Sequence, residues 1–172
     1  MDAPPSTAWV QTVAATFEEV YAKVVQMGYR AAPTSAGPYD IYLQNMGVRA
    51  FGITESDIQS SLGPNSFTSF ITIDNDFSAS EFGTQITEYT PLKALQITAA
   101  HEYHHAIQYG YNFFFDIWYA EVTATWMEDE VYDGVNQLYI YINNYLGKTM
   151  PLDATAPSGD TANTAAGSST AT

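Results

Sequence analysis

The chain has 172 residues, 46% of them hydrophobic, which is enough for one compact domain with a sizeable core. Nineteen acidic residues against five Lys or Arg give a formal net charge of −14, which excludes nucleic acid and anionic lipid surfaces as expected partners. The absence of cysteine excludes disulfides, thiolate metal sites and cysteine nucleophiles.

The first part of the chain predicts one helix followed by short strands. Apolar residues recur at three- and four-residue spacing from Ser6 onward, with Ser6 or Thr7 as the N-terminal cap and a helix end near Gly28. Strand candidates then follow at 39–44 and 49–53, and Phe67–Asp74 is the strongest of them because its middle is rich in β-branched and aromatic residues.

The second part of the chain predicts helices and a tail. One helix begins at Thr90-Pro91 and ends near Gly110, a second covers about 117–131, and a third covers about 135–146. Residues 153–172 are almost all small or polar and predict a disordered tail or linker, which leaves 1–152 as the folded domain. No stretch is long and apolar enough to predict a membrane span.

The order of these elements predicts an α+β fold. We expect a small, twisted, mainly antiparallel sheet packed on the N-terminal helix and on the two helices predicted near 91–110 and 117–131. The N-terminal helix should lay its apolar face on the sheet or on another helix.

All the histidines of the chain fall within five residues, His101-Glu102-Tyr103-His104-His105, and they form an H-E-x-x-H pattern on a predicted helix. Residues four apart on a helix project on the same side, so His101 and His105 can present two imidazole nitrogens to one metal ion. Glu102 then projects beside the metal, where a general base for water is needed.

A catalytic zinc ion usually takes three protein ligands, and no further histidine or cysteine exists in this chain. The metzincin pattern fails, because Gln108 and Tyr111 stand where it requires Gly and His. The third ligand is therefore expected to be a carboxylate. Glu121 on the following helix is the first candidate and Asp116 in the connecting loop is the next.

The segments HEYHHAIQYGY and WYAEVTATWMEDEVYD resemble the gluzincin metallopeptidases, in particular minimal gluzincins and a group of predicted exported bacterial metallopeptidases. The resemblance covers about a quarter of the chain. It implies one catalytic Zn²⁺ on His101, His105 and Glu121, with Glu102 as the catalytic base. Gluzincins also use a downstream Tyr or His at the oxyanion, and because no histidine remains here, the candidates are Tyr132, Tyr139 and Tyr141.

These features predict a zinc-dependent endopeptidase that acts on a peptide or protein substrate, with Phe67–Asp74 as the cleft-edge strand that pairs with it. The alternatives are a zinc hydrolase of another amide, a catalytically inactive binding module, and a latent precursor. The acidic composition, the absence of cysteine and the linker-like tail favour a secreted or extracytoplasmic protein whose leader is not in this sequence.

Three nearby features have simpler interpretations. His104 projects away from the other two histidines and is expected at the surface or in a cleft wall. Thr125 has the spacing either to hydrogen-bond a ligand histidine or to be an ordinary helix threonine. The segment 74–76, Asp-Asn-Asp, is expected to form a turn after its strand rather than a calcium site.

Overall fold

The computed structural model describes residues 4–47, 50–83, 88–137 and 139. Within them the chain forms four helices, α1 (Thr7–Gln26), α2 (Ala79–Phe82), α3 (Pro91–Tyr111) and α4 (Ile117–Val131), and three strands, β1 (Ile41–Gln44), β2 (Gly52–Gln59) and β3 (Phe67–Asp74). The α+β prediction is confirmed. None of the helices in these residues is both long and apolar enough to cross a membrane.

The helix ends follow from capping residues in the sequence. Ser6 Oγ accepts a hydrogen bond from Trp9 N at 3.2 Å at the start of α1. Gly28, with φ of +98°, follows the last turn, a backbone conformation that residues with a Cβ adopt only under strain. At the start of α3, Thr90 Oγ1 accepts from Lys93 N at 3.1 Å, and proline occupies the first turn, where its missing N–H costs nothing.

The sheet has the strand order β1-β3-β2 and is mixed rather than mainly antiparallel. β1 pairs parallel with β3, and β2 pairs antiparallel with β3. The prediction that Phe67–Asp74 is an edge strand is therefore wrong, because this strand has neighbours on both sides. Its apolar composition suits the central position in the sheet, where Ile71 and Ile73 are fully buried.

The edge strand is β2, which extends beyond the predicted 49–53. It begins at Gly52 and continues through a polar run to Gln59, and its last five residues are exposed. Such residues have low strand propensity, but an edge strand with one solvated face tolerates them. Residues 48 and 49, most of the predicted helix over 135–146 and the tail over 153–172 lie outside the described residues.

Helix α3 lies at the centre of the packing. It contacts β2 and β3 on one side and α1 and α4 on the others, so α1 rests on a helix and the sheet rests chiefly on α3. The fully buried part of the core comes mainly from α1, β3 and α3, with Met127 of α4, and includes Val20, Val24, Ile71, Ile73, Leu95, Ala99 and Ala106. This position places the H-E-x-x-H segment between the edge strand β2 and the helix α4.

Candidate metal centre

Two consecutive helices bring together the residues of the predicted metal site. His101 and His105 lie one turn apart on α3, and Glu121 lies in the second turn of α4. The three side chains are 14%, 10% and 17% exposed, so the group is sheltered from solvent but can be reached from it. The structure therefore brings together the three residues that the sequence selects, and not the rival Asp116, which stands at the N-cap of α4.

The spacing of the three side chains fits a single small cation. His101 Nε2 lies 3.1 Å from His105 Nε2 and 3.4 Å from Glu121 Oε2, and His105 Nε2 lies 3.6 Å from Glu121 Oε1. A tetrahedral zinc ion with ligand bonds of about 2.0–2.2 Å separates its ligand atoms by roughly 3.3–3.6 Å. The donor set, two imidazoles and one carboxylate, is also one that zinc accepts.

The outer ring nitrogens of both histidines are held by hydrogen bonds. His101 Nδ1 lies 2.7 Å from Glu128 Oε1, and His105 Nδ1 lies 2.9 Å from Gln108 Oε1. The Gln108 amide is itself oriented, because its Nε2 donates to the Ala120 carbonyl and to Thr123 Oγ1. Each Nδ1 therefore carries a hydrogen, which leaves each Nε2 lone pair directed to the shared point. In the neutral rings, two lone pairs and a carboxylate converge in this way, which favours a positive charge between them, either a proton on one Nε2 or a metal ion.

The electrostatics of the group agree with that requirement. Burial lowers the pKa of His101, but hydrogen bonds to Glu121 and Glu128 outweigh it, so the pKa lies well above its ordinary value. Burial lowers the pKa of His105, and the neighbouring His101 charge adds to this. Burial has the opposite effect on an acid, and it raises the pKa of the Glu128 carboxyl. One proton on His101 thus supplies positive charge at the place where a metal cation fits.

The predicted base, Glu102, lies next to this group and is buried, with 8% of its surface exposed. Thr54 Oγ1, on the edge strand β2, lies 2.7 Å from Glu102 Oε2 and 2.9 Å from the Glu102 carbonyl oxygen, and it donates to them. Glu102 contributes no atom to the metal-ligating group. Its carboxylate is therefore separate from the ligands, which is the arrangement that a general base requires.

Two of the three candidate tyrosines can be placed. Tyr132 is buried, its hydroxyl donates to Glu19 at 3.3 Å, and its ring lies under the Lys23 ammonium group, so it is bound to α1. Tyr139 is 63% exposed. Tyr141 lies outside the described residues. None of the described contacts brings either placed hydroxyl to the three ligands.

His104 is buried, so the surface alternative of the sequence-based expectation, a surface or cleft-wall residue, is wrong. It is 4% exposed, and its ring packs edge-on against Tyr29 at 5.7 Å between centroids. Burial, followed by the charges of the two neighbouring histidines, lowers its pKa to about 4. The chain that follows α1, including Tyr29, covers this side of α3. The sequence of α3 alone does not show that another segment packs there.

Sequence reasoning missed the two residues that orient the ligands. The sequence names Thr125 as a possible partner of a ligand histidine and does not indicate Glu128 or Gln108 in that role. The observed partners are Glu128 and Gln108. Helical spacing offered a signal, because Glu128 lies seven residues after Glu121 and Gln108 lies three after His105, on the same helix faces.

A second acidic group, Asp74, Asp76 and Glu81, follows β3. The fully buried Asp74 carboxylate accepts hydrogen bonds from the backbone N–H groups of Met46, Asp76 and Phe77. This is the arrangement of a turn stabilised by an aspartate, which was the preferred expectation for the segment 74–76.

Comparisons with protein-family models, with curated proteins and with solved structures find no significant match to this chain. The functional interpretation therefore rests on the residues of the site and on their geometry.

Proposed function

We propose that this protein is a zinc-dependent endopeptidase of the gluzincin type. His101, His105 and Glu121 hold the metal ion and Glu102 is the general base. One observation carries the proposal. Two imidazole nitrogens and a carboxylate converge within 3.1–3.6 Å of one another, beside a separate buried carboxylate. A chance match to H-E-x-x-H gives no physical reason for a third donor at this spacing, so the converging carboxylate supports the proposal.

The chain's own residues account for the movement of protons. When bound, zinc supplies a Lewis acid that lowers the pKa of water and polarises a carbonyl group. The Thr54 hydroxyl holds Glu102 Oε2, so we assign the proton transfer to the other oxygen, Oε1. Glu102 accepts a proton from the attacking water and returns it to the amine nitrogen as the peptide C–N bond breaks.

The edge strand β2 offers a place for an extended substrate. Asp74 N donates to Phe51 O at 2.9 Å, and the antiparallel register pairs Gly52 with Ile73. Hydrogen-bonded and non-bonded pairs alternate in an antiparallel ladder, so the backbone groups of Gly52 and Thr54 point away from β3. Because β2 has no second neighbour among the described strands, a peptide can pair with this outer edge beside Glu102.

Metal analysis of Glu121→Ala tests the site. We expect about one zinc per chain in the wild type and a sharp loss in Glu121→Ala. Glu130→Ala is the matched control, because it removes an exposed glutamate from the same helix. Zinc that survives in Glu121→Ala would move the third ligand elsewhere, and no zinc in any of the proteins after reconstitution would refute the metal site.

Cleavage of unfolded casein by the full chain tests the activity. Glu102→Gln should retain its zinc and lose activity by several orders of magnitude, since it keeps the shape of the side chain but removes the base. Zinc without cleavage in the wild type would support the inactive binding module or the latent precursor instead.

A further inference from the structure

The contact between Thr54 and Glu102 has a geometry that restrains the base. The Thr54 hydroxyl reaches both the Glu102 carboxylate, at 2.7 Å, and the carbonyl oxygen of the same residue, at 2.9 Å. Both residues are buried, with 6% and 8% of their surface exposed. A hydrogen bond to a charged group is stronger than a neutral one, and away from water it is difficult to replace. The hydroxyl therefore limits the orientations that Glu102 can adopt.

Packing from the same strand restrains Glu102 a second time. Side chains alternate along a strand, so Gly52 and Thr54 occupy the same face of β2, the one towards α3. A Cβ at Gly52 would lie 2.9 Å from Thr98 Cγ2, which is closer than real Cβ contacts come, and 3.0 Å from Glu102 Cγ, which is tighter than most of them. Gly52 thus leaves the space that the Glu102 side chain fills, and Thr54 supplies the hydrogen bond at its end.

The backbone of Thr54 is itself fixed to α3. Tyr109 OH donates to the Thr54 carbonyl oxygen at 3.2 Å, and Tyr109 lies two turns after Glu102 on the same helix. The Thr54 carbonyl group belongs to the outer edge of β2, as the alternation of the ladder requires. Thr54 therefore connects the outer edge of β2, where a strand can be added, to helix α3 and to the Glu102 carboxylate.

We propose that Thr54 is a positioning residue, which orients Glu102 for proton transfer and couples this orientation to the outer edge of β2. The proposal rests on the proposed function of the site. Thr54 touches neither the metal ligands nor the reacting atoms, and it acts through Glu102 and through the strand backbone. Tyr109 holds the Thr54 carbonyl oxygen in place until a substrate strand competes for it.

The first test compares Thr54→Val with Thr54→Ser in the full chain. Valine keeps the shape and removes the hydroxyl, so we expect kcat to fall roughly 10- to 100-fold, with KM and zinc content little changed. Serine keeps the hydroxyl, and its kcat should stay within about threefold of the wild type. Thr72→Val is the matched control, because Thr72 is buried in the adjacent strand and pairs with Ile53, on the opposite face of the sheet. An unchanged kcat in Thr54→Val, an equal loss in Thr54→Ser, or a parallel loss of zinc would overturn the proposal.

A second measurement does not need activity. Thr54→Val should lower the thermal midpoint by about 3–10 °C in the wild-type background, because a buried charged acceptor loses its donor. In a Glu102→Ala background the same substitution should lower it clearly less, because only the hydrogen bond to the backbone carbonyl oxygen of residue 102 is then lost. Equal shifts in both backgrounds would show that the two side chains are not coupled. A wild type that binds zinc without cleaving casein would refute the peptidase function, and this cycle would still decide whether Thr54 holds Glu102.

Discussion

The hydrogen bond between His101 and Glu128 gives the sharpest prediction for the metal site. The two atoms, Nδ1 and Oε1, lie 2.7 Å apart, and the two side chains are only 14% and 16% exposed. Replacing Glu128 by Gln keeps an acceptor oxygen of the same shape but removes the negative charge. A hydrogen bond to a charged group contributes about 1.5–3 kcal/mol and a neutral one about 0.5–1.5 kcal/mol, so the change removes roughly 1–1.5 kcal/mol.

Above the pKa of His101, where no proton competes for its Nε2, this loss falls on the zinc-bound state, because the Glu128 charge makes His101 a better ligand. A difference of about 1.4 kcal/mol is a factor of ten, so Glu128→Gln should weaken zinc binding roughly tenfold. Glu128→Ala removes the acceptor as well, and it should weaken binding by up to about 100-fold. Competition with a chromogenic chelator at fixed pH measures both affinities.

Asp129→Asn is the matched control, because it removes one negative charge from the neighbouring, exposed position of α4. Its zinc affinity should stay within about twofold of the wild type, since an exposed charge is screened by solvent and salt. Equal zinc affinities in Glu128→Gln, Asp129→Asn and the wild type would refute the reasoning, because the ligand would then not depend on its hydrogen-bond partner.

Three further predictions concern pH, the core and the base. Because the pKa of His101 is raised, a proton competes with zinc for this residue. The apparent zinc affinity should therefore fall about tenfold for each pH unit below that pKa, and an affinity that does not change with pH would contradict this. The pKa of His104 is lowered to about 4, so between about pH 6.5 and 4 the unfolded chain binds the proton and the folded one does not. As the pH drops from 6.5 to 4, the free energy of unfolding should therefore decrease by about 3 kcal/mol more than it does in His104→Phe. Denaturant unfolding of both proteins at several pH values measures this, and equal pH dependences would contradict the prediction. Gly52→Ala should reduce kcat at least about tenfold with zinc retained, because its Cβ displaces Glu102. Gly134→Ala is the control and should leave kcat unchanged, because the space around its Cβ position is open. Equal kcat values in the two variants would refute the packing argument.

The helices and the two histidines of the His101, His105 and Glu121 group could be predicted from the sequence because their determinants are local. Ser6, Thr90 and Pro91 mark helix starts through hydrogen bonds or dihedral preferences within one turn. The pair His101 and His105 needs only the helical period to face one point. Elimination left a carboxylate as the third group, and the position of Glu121 on the following helix, together with the gluzincin resemblance, placed it ahead of Asp116.

The sheet could not be predicted to the same degree. Strand order depends on which strand pairings bury the most apolar surface across the whole fold. The residues of Phe67–Asp74 alone do not indicate that β1 and β2 lie on its two sides. The polar run that completes β2 has low strand propensity, and only pairing with β3 makes it a strand. The predicted edge strand was therefore the wrong one.

The sequence by itself determined which side chains are proposed to hold a metal ion and which carboxylate is proposed as the base, because residue type and helical period are enough to select them. Only the tertiary structure decided what holds those groups in place. Glu128 and Gln108 act on the ligands across helix turns and across the α3–α4 contact, and Thr54 reaches Glu102 from a strand 48 residues earlier in the chain. Hydrogen bonds between elements depend on the packing of α3 against both β2 and α4, and that packing is a property of the whole core.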